Sequence, residues 1–141
     1  MILVDTNVLL DVVQNDPLWA DWSQHQLDAA SLRGPLCINA VIYAELSVAF
    51  ARIEELEAIL DDAVVRVESI PREALFLAGK VFLRYRQRRG AAKSSVLPDF
   101  FVGAHAAVSG MALLTRDTRR YRSYFPSVPL IGPATHPGPR G

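Results

Sequence analysis

Four acidic residues stand in settings that solubility does not explain. Asp5 closes the apolar run Ile2-Leu3-Val4. Glu45 sits inside Val41-Ile42-Tyr43-Ala44-Glu45-Leu46. Asp99 follows Pro98 and precedes Phe100-Phe101-Val102, and Asp117 comes two residues after Thr115, just past Met111-Ala112-Leu113-Leu114. Taken singly, each has an ordinary use. Aspartate caps helices and complements their dipoles, and a glutamate at a core boundary can pair with an arginine. Brought to one edge of a fold, however, carboxylates repel and desolvate one another, which disfavours ionisation unless a cation compensates. Such a set of hard oxygen ligands suits Mg²⁺ or Mn²⁺ rather than zinc, and neither an HExxH helix nor paired Cys/His ligands are present. Thr6, Asn7 and Thr115 lie beside these acids. Their hydroxyl and amide groups can orient carboxylates or simply cap helices. His105, alone in Gly103-Ala104-His105-Ala106-Ala107, reads as structural.

The elements that must position these residues follow from the apolar patterning. Ile2-Leu3-Val4 is the continuous run of a buried parallel strand. Val8, Leu9, Val12 and Val13 recur at helical spacing until Asp16-Pro17. A second helix is expected from about Leu18 to Leu32, broken by Gly34-Pro35, with strand two at Leu36-Ile38. Asn39 is a candidate N-cap for a helix to about Phe50, and another helix runs from Ile53 to about Leu60. Strand three is expected at Val64–Val67, and a long helix from Pro71 to about Arg88. Gly90 to Leu97 reads as polar and mobile. Pro98 opens a helix to about Ser109, strand four is Met111–Leu114, a short helix spans Thr118–Tyr124, and a weak strand lies at Leu130-Ile131. Strands alternating with helices predict an α/β fold: a mostly parallel five-stranded sheet, order about 3-2-1-4-5, with helices on both faces. Ligands of such sheets gather at the carboxyl ends of the strands, where Asp5 and Asp117 fall.

The bulk properties bound the answer. A chain of 141 residues, 50% hydrophobic, makes one compact domain with an adequate core. That domain is expected over 1–131, with a disordered proline- and glycine-rich tail over 132–141. No apolar run approaches the roughly 20 residues needed to span a bilayer, and the first residues lack a signal-peptide pattern. The single cysteine, Cys37, lies between Leu36 and Ile38 and reads as a buried strand thiol. A cytoplasmic location is expected. Net charge is zero, but its distribution is uneven. Residues 1–79 hold thirteen acids and four bases, and residues 80–141 hold eleven bases and only Asp99 and Asp117 as acids. An asymmetry of this kind can mark a polyanion-binding face.

Asp5-Thr6-Asn7 after the first strand, Ala44-Glu45-Leu46, Pro98-Asp99 and Leu114-Thr115-Arg116-Asp117, in this order and spacing, resemble the signature of the PIN-domain family. Within that family they resemble the VapC-type toxins of bacterial toxin–antitoxin pairs. The resemblance extends to the proline-rich tail. It implies a metal-dependent endoribonuclease whose catalytic and metal site is Asp5, Glu45, Asp99 and Asp117, supported by Thr6, Asn7 and Thr115. The cofactor it implies is Mg²⁺ or Mn²⁺, which would polarise a phosphate oxygen and activate water for in-line attack, leaving a 5′ phosphate. Glu45 is the best candidate to orient or deprotonate that water. The implied partners are an RNA substrate (tRNA, rRNA or mRNA), a protein antitoxin seated in a groove of nearby helices, and a second copy in a homodimer; no membrane is implied. Trp19 and Trp22, and the stripe Ile53, Leu56, Ile59 and Leu60, are expected mainly to pack the core.

RNA approaching an acidic pocket needs flanking cations. Arg84, Arg86, Arg88, Arg89 and Lys93 approach Asp99 in sequence, while Arg116, Arg119, Arg120 and Arg122 surround Asp117. Two rival readings remain open. One is a non-catalytic binding or regulatory module on the same fold. The other is a phosphatase with an aspartyl nucleophile, whose usual second aspartate, two residues after the first, is here Asn7. A nuclease acting on DNA is also compatible with attack by an activated water, which needs no 2′-hydroxyl.

Overall fold

The first strand in the chain is the middle one of the sheet. In this computed structural model, which describes residues 1–89 and 96–133, β1 (Ile2–Val4) is flanked by β2 (Leu36–Ile38) and β4 (Ala112–Leu114). Beyond these lie β3 (Val65–Val67) and β5 (Leu130–Ile131), giving a five-stranded sheet of order β3-β2-β1-β4-β5. Every pairing is parallel, with Ile2 opposite both Leu36 and Ala112, and Leu3 opposite Cys37 and Leu113. This is the order the sequence predicts. A parallel sheet must be covered on both faces, and the apolar triplets reflect that: Leu3, Val4, Cys37, Ile38, Leu113 and Leu114 are fully buried. Lys93, the side chain of Arg89, and the expected tail beyond residue 133 lie outside the described residues.

Seven helices among the described residues make the crossovers: α1 (Thr6–Val13), α2 (Ala20–Arg33), α3 (Ala40–Ser47), α4 (Ile53–Asp62), α5 (Arg72–Arg89), α6 (Leu97–Ser109) and α7 (Thr118–Tyr124). Local chemistry sets their ends. The Asp16 carboxylate accepts the N–H groups of Leu18 and Trp19, so those residues form a turn and α2 starts at Ala20 rather than Leu18. Asn39 caps α3 by accepting the Ile42 N–H at 3.1 Å. That helix stops at Ser47, short of Phe50, with the Ser47 hydroxyl bonded back to the Ala44 carbonyl. Strand three begins one residue later than expected because Val64 adopts φ 54°, a left-handed turn residue after α4 that cannot join a strand. Pro98 sits in the first turn of α6, where no N–H is needed, and Gly110 ends that helix in the left-handed conformation with φ 65°.

Helix α6 is the most enclosed, with Phe100, Val102, Gly103, Ala104, His105 and Ala106 buried. It packs against α5 through an aromatic cluster in which Phe100 meets Phe82, Tyr85, Tyr124 and Phe125 at centroid distances of 5.2–6.1 Å. Gly103 lets the Phe125 ring lie directly against the α6 backbone, since a β-carbon there would overlap the ring. On α4, Leu56 and Leu60 are buried as expected, whereas Ile53 and Ile59 are exposed. The stripe therefore splits between core and surface. Trp19 and Trp22 are half-buried and meet edge to face at 5.5 Å. No helix among the described residues is long and apolar enough to cross a membrane.

Candidate active site

The sheet changes winding direction between β1 and β4, and the loops leaving the carboxyl ends of these strands open a crevice there. The crevice is a cleft of about 230 Å³ lined by Asp5, Thr6, Asn7, Leu10, Glu45, Asp99, Asp117 and Tyr121. All four acids singled out in the sequence thus face one cavity, from β1, α3, α6 and the β4–α7 junction.

Asp5 is the most tightly held. It is the residue after β1 and caps α1, its Oδ1 accepting the Thr6 N–H at 2.8 Å. Its Oδ2 accepts hydroxyl protons from Thr115 at 2.8 Å and Tyr121 at 3.2 Å. The Thr115 oxygen in turn accepts the Asp117 N–H at 3.0 Å, so one hydroxyl links two of the acids. The Thr6 hydroxyl donates to Glu45 Oε1 at 2.5 Å, and Arg120 Nη1 donates to Asp99 Oδ2. Asn7 accepts the Arg116 N–H at 3.2 Å and reaches Thr115 Oγ1 at 3.5 Å, bracing the loop that presents Asp117.

The charge state follows from this crowding. Burial, reinforced by the Asp99 charge and only partly offset by its hydrogen bonds, pushes the Asp5 carboxyl up to about 6. Asp99 is raised as well, first by burial; Arg120 opposes the shift, while Glu45 and Asp117 add to it. Tyr121, buried among these acids, is pushed well above its usual range and stays a neutral donor.

The other candidates fall around this centre. Arg116 is not free at the rim. Its guanidinium makes two 2.8 Å bonds to the buried Asp11 carboxylate and stacks over the Trp19 ring at 4.9 Å, and Ser23 supplies Asp11 with a further hydroxyl at 2.7 Å. Arg84, Arg86, Arg88, Arg119 and Arg122 are exposed on the C-terminal third of α5 and on α7. Those two helices meet through Tyr85 and Tyr124, with Arg88 over the Tyr124 ring. His105 is structural. Asn39 Oδ1 is occupied by the Ile42 N–H, so its amide donates to His105 Nδ1 at 3.1 Å, which fixes a neutral imidazole. Sequence reasoning missed Tyr121, Asp11 and Ser23. The signal for Tyr121 was there: a lone aromatic among arginines in Thr118-Arg119-Arg120-Tyr121-Arg122 has to turn inward.

A family model for the PIN domain matches residues 2–126. The chain belongs to the PIN domain family. No curated protein matches the sequence. Among solved structures, this PIN domain is similar to VapBC2 of Rickettsia felis, crystallised with a DNA fragment from its promoter (17% identity, TM-score 0.68, 94% of this chain and 98% of that one). It is also similar to FitAcB of Neisseria gonorrhoeae (20%, 0.66, 93% and 96%) and to VapBC-1 of nontypeable Haemophilus influenzae (19%, 0.65, 94% and 98%). At these identities the likeness speaks for a shared fold.

The donor set of this PIN domain suits a hard divalent cation. Four carboxylates line one cleft, and burial raises the pKa of two of them, Asp5 and Asp99. Among the described residues no three such groups already close on a point as metal ligands.

The pH dependence of stability follows. A carboxyl whose pKa in the fold exceeds its ordinary value of 3.8 stabilises the fold fully below that value, and the contribution is lost as pH rises through about 6. For Asp5 this amounts to roughly 3 kcal/mol. His105, lowered by burial, acts in the opposite sense, losing stability as pH falls. A divalent cation relieves the Asp5 term only where the carboxyl is ionised. The rise in melting temperature on adding about 1 mM Mn²⁺, roughly 1,000 Kd for a micromolar site, is therefore expected to be larger at pH 7.5 than at pH 5. A shift that is equal or larger at pH 5 contradicts this account.

Proposed function

We propose that this PIN domain is a metal-dependent endoribonuclease, the toxin of a toxin–antitoxin pair, acting in the cytoplasm. The observation that carries this reading is the convergence of Asp5, Glu45, Asp99 and Asp117 on one cleft at the carboxyl edge of a PIN fold. Asp5, Asp99 and Asp117 would hold Mg²⁺ or Mn²⁺, with Glu45 as a further ligand or as the base. When bound, the ion supplies the positive charge that a phosphodiester needs beside so many carboxylates. The chain's own groups do the rest. Thr6 orients the Glu45 carboxylate, which accepts a proton from the attacking water. Thr115 and Tyr121 fix Asp5, and the Thr115 hydroxyl carries that order to Asp117.

Substrate approach depends on the basic ends of α5 and α7. Replacing Arg84 and Arg119 together by alanine is expected to weaken RNA binding about tenfold near physiological salt and to lower the salt slope by about 1–2. The check is fluorescence anisotropy with labelled RNA between 50 and 200 mM salt, the range over which phosphate contacts show; an unchanged slope excludes these residues. Arg116, committed to Asp11, is a positioning residue in this scheme.

The partners proposed are an antitoxin and a second copy of the chain. Support comes from the fold shared with the VapBC and FitAcB assemblies and from apolar side chains left on the surface, with Phe76 69% and Val48 88% exposed. The experiment for the activity is incubation with tRNA, rRNA and a DNA control, in Mg²⁺ or Mn²⁺ and then in chelator. Discrete RNA fragments that vanish in chelator are expected. Intact RNA throughout, with no Mn²⁺ bound, would return the fold to a binding or regulatory role.

A further inference from the structure

Arg120 stands apart from the other arginines of α7. Asp117, Arg120 and Tyr121 are spaced i, i+3, i+4, which places them on one side of the helix, while Arg119 and Arg122 are exposed. Tyr121 faces the cleft and bonds Asp5. Arg120 follows it inward and donates to Asp99, each side chain 32% exposed. Among the described residues this is the one ion pair that reaches an acid of the cleft; the other two join Arg52 to Glu54 and Arg116 to Asp11.

Asp99 therefore has a cation of its own within the fold. Its carboxylate is crowded by Glu45 and Asp117 and relieved by Arg120. A divalent cation arriving at Asp99 would both compete for that carboxylate and repel the guanidinium. A phosphate arriving with the ion offers the guanidinium a matching anion, since arginine pairs with phosphate as it does with carboxylate.

We infer that Arg120 is a tethered counter-cation: it holds Asp99 while the cleft lacks a divalent ion and passes to the RNA phosphate when ion and substrate enter. This rests on the nuclease reading above and adds to it a residue that lowers metal affinity while aiding cleavage. Those two effects have opposite signs, and a side chain that merely shaped the cleft would lose both together.

The test is Mn²⁺ titration of the full chain, followed by the electron paramagnetic resonance signal of free Mn²⁺, for the wild type, Arg120→Gln and Arg120→Lys, with melting temperatures to verify folding. Arg120→Gln is expected to bind Mn²⁺ about three- to fivefold more tightly, the worth of a partly exposed ion pair. Its single-turnover RNA cleavage at saturating Mn²⁺ is expected to fall at least about tenfold. Arg120→Lys should keep the wild-type Mn²⁺ affinity. Equal or weaker Mn²⁺ binding by Arg120→Gln overturns the inference while leaving the nuclease reading intact, as does undiminished cleavage. Absence of Mn²⁺ binding by the wild type overturns both.

Discussion

Asp99→Asn is expected to reduce metal-dependent RNA cleavage by roughly two to four powers of ten without lowering the melting temperature. The amide keeps the shape of the carboxylate and can still accept the Arg120 hydrogen bond, but it removes the charge that the cation and the attacking water rely on. It also removes the burial cost and the repulsion from Glu45 and Asp117 that raise this carboxyl's pKa. Charges crowded for catalysis strain the fold that carries them, so their removal commonly exchanges activity for stability. Initial rates at saturating Mn²⁺ and a thermal melt, on proteins purified identically, measure both sides. Cleavage equal to that of the wild type would place the activity elsewhere or in a contaminating ribonuclease.

The second large effect is expected in the fold. Asp11→Ala should cost about 2–4 kcal/mol in urea unfolding, toward the lower end of what breaking a buried pair costs, because the Arg116 side chain is 30% exposed and water can partly replace its partner. The loss strands one guanidinium and the Ser23 hydroxyl, and it frees the segment that carries Asp117. Activity should fall with stability, yet Mn²⁺ affinity should fall less than in Asp99→Asn. A cost below about 1 kcal/mol would mean the pair is ordinary surface electrostatics.

These two residues also mark how far the sequence can be read. Asp99 stood out only in company with the other three acids, since an aspartate in the first turn of a helix has an ordinary use of its own. The strands were plainer, since Ile2-Leu3-Val4 and Leu36-Cys37-Ile38 are short apolar runs bounded by Asp5, Gly34-Pro35 and Asn39. Asp11 was hidden. It lies within an amphipathic helix and looks like solvent-facing polarity, and its partner Arg116 is 105 positions away. Arg116 and Arg120 likewise read as phosphate ligands because a sequence shows charge but not the acid opposite it. Val64 failed for another reason: its side chain favours a strand, and only the need to leave α4 forces φ 54° on it. The split of Ile53 and Ile59 from Leu56 and Leu60 depends on which neighbours cover α4, which no helical period reveals.

Because β1 is the central strand and its neighbour β4 pairs Ile2 with Ala112 and Val4 with Leu114, the cleft has a birth order. Asp5 follows a strand whose second edge stays open until more than a hundred further residues have been made. Non-local pairing of this kind is slow, and a domain generally folds as a unit. Asp117 enters the cleft only once β4 has docked and Thr115 has bonded Asp5. The cleft is therefore complete only when Thr115 and Asp117 have joined Asp5, late in the folding of the domain.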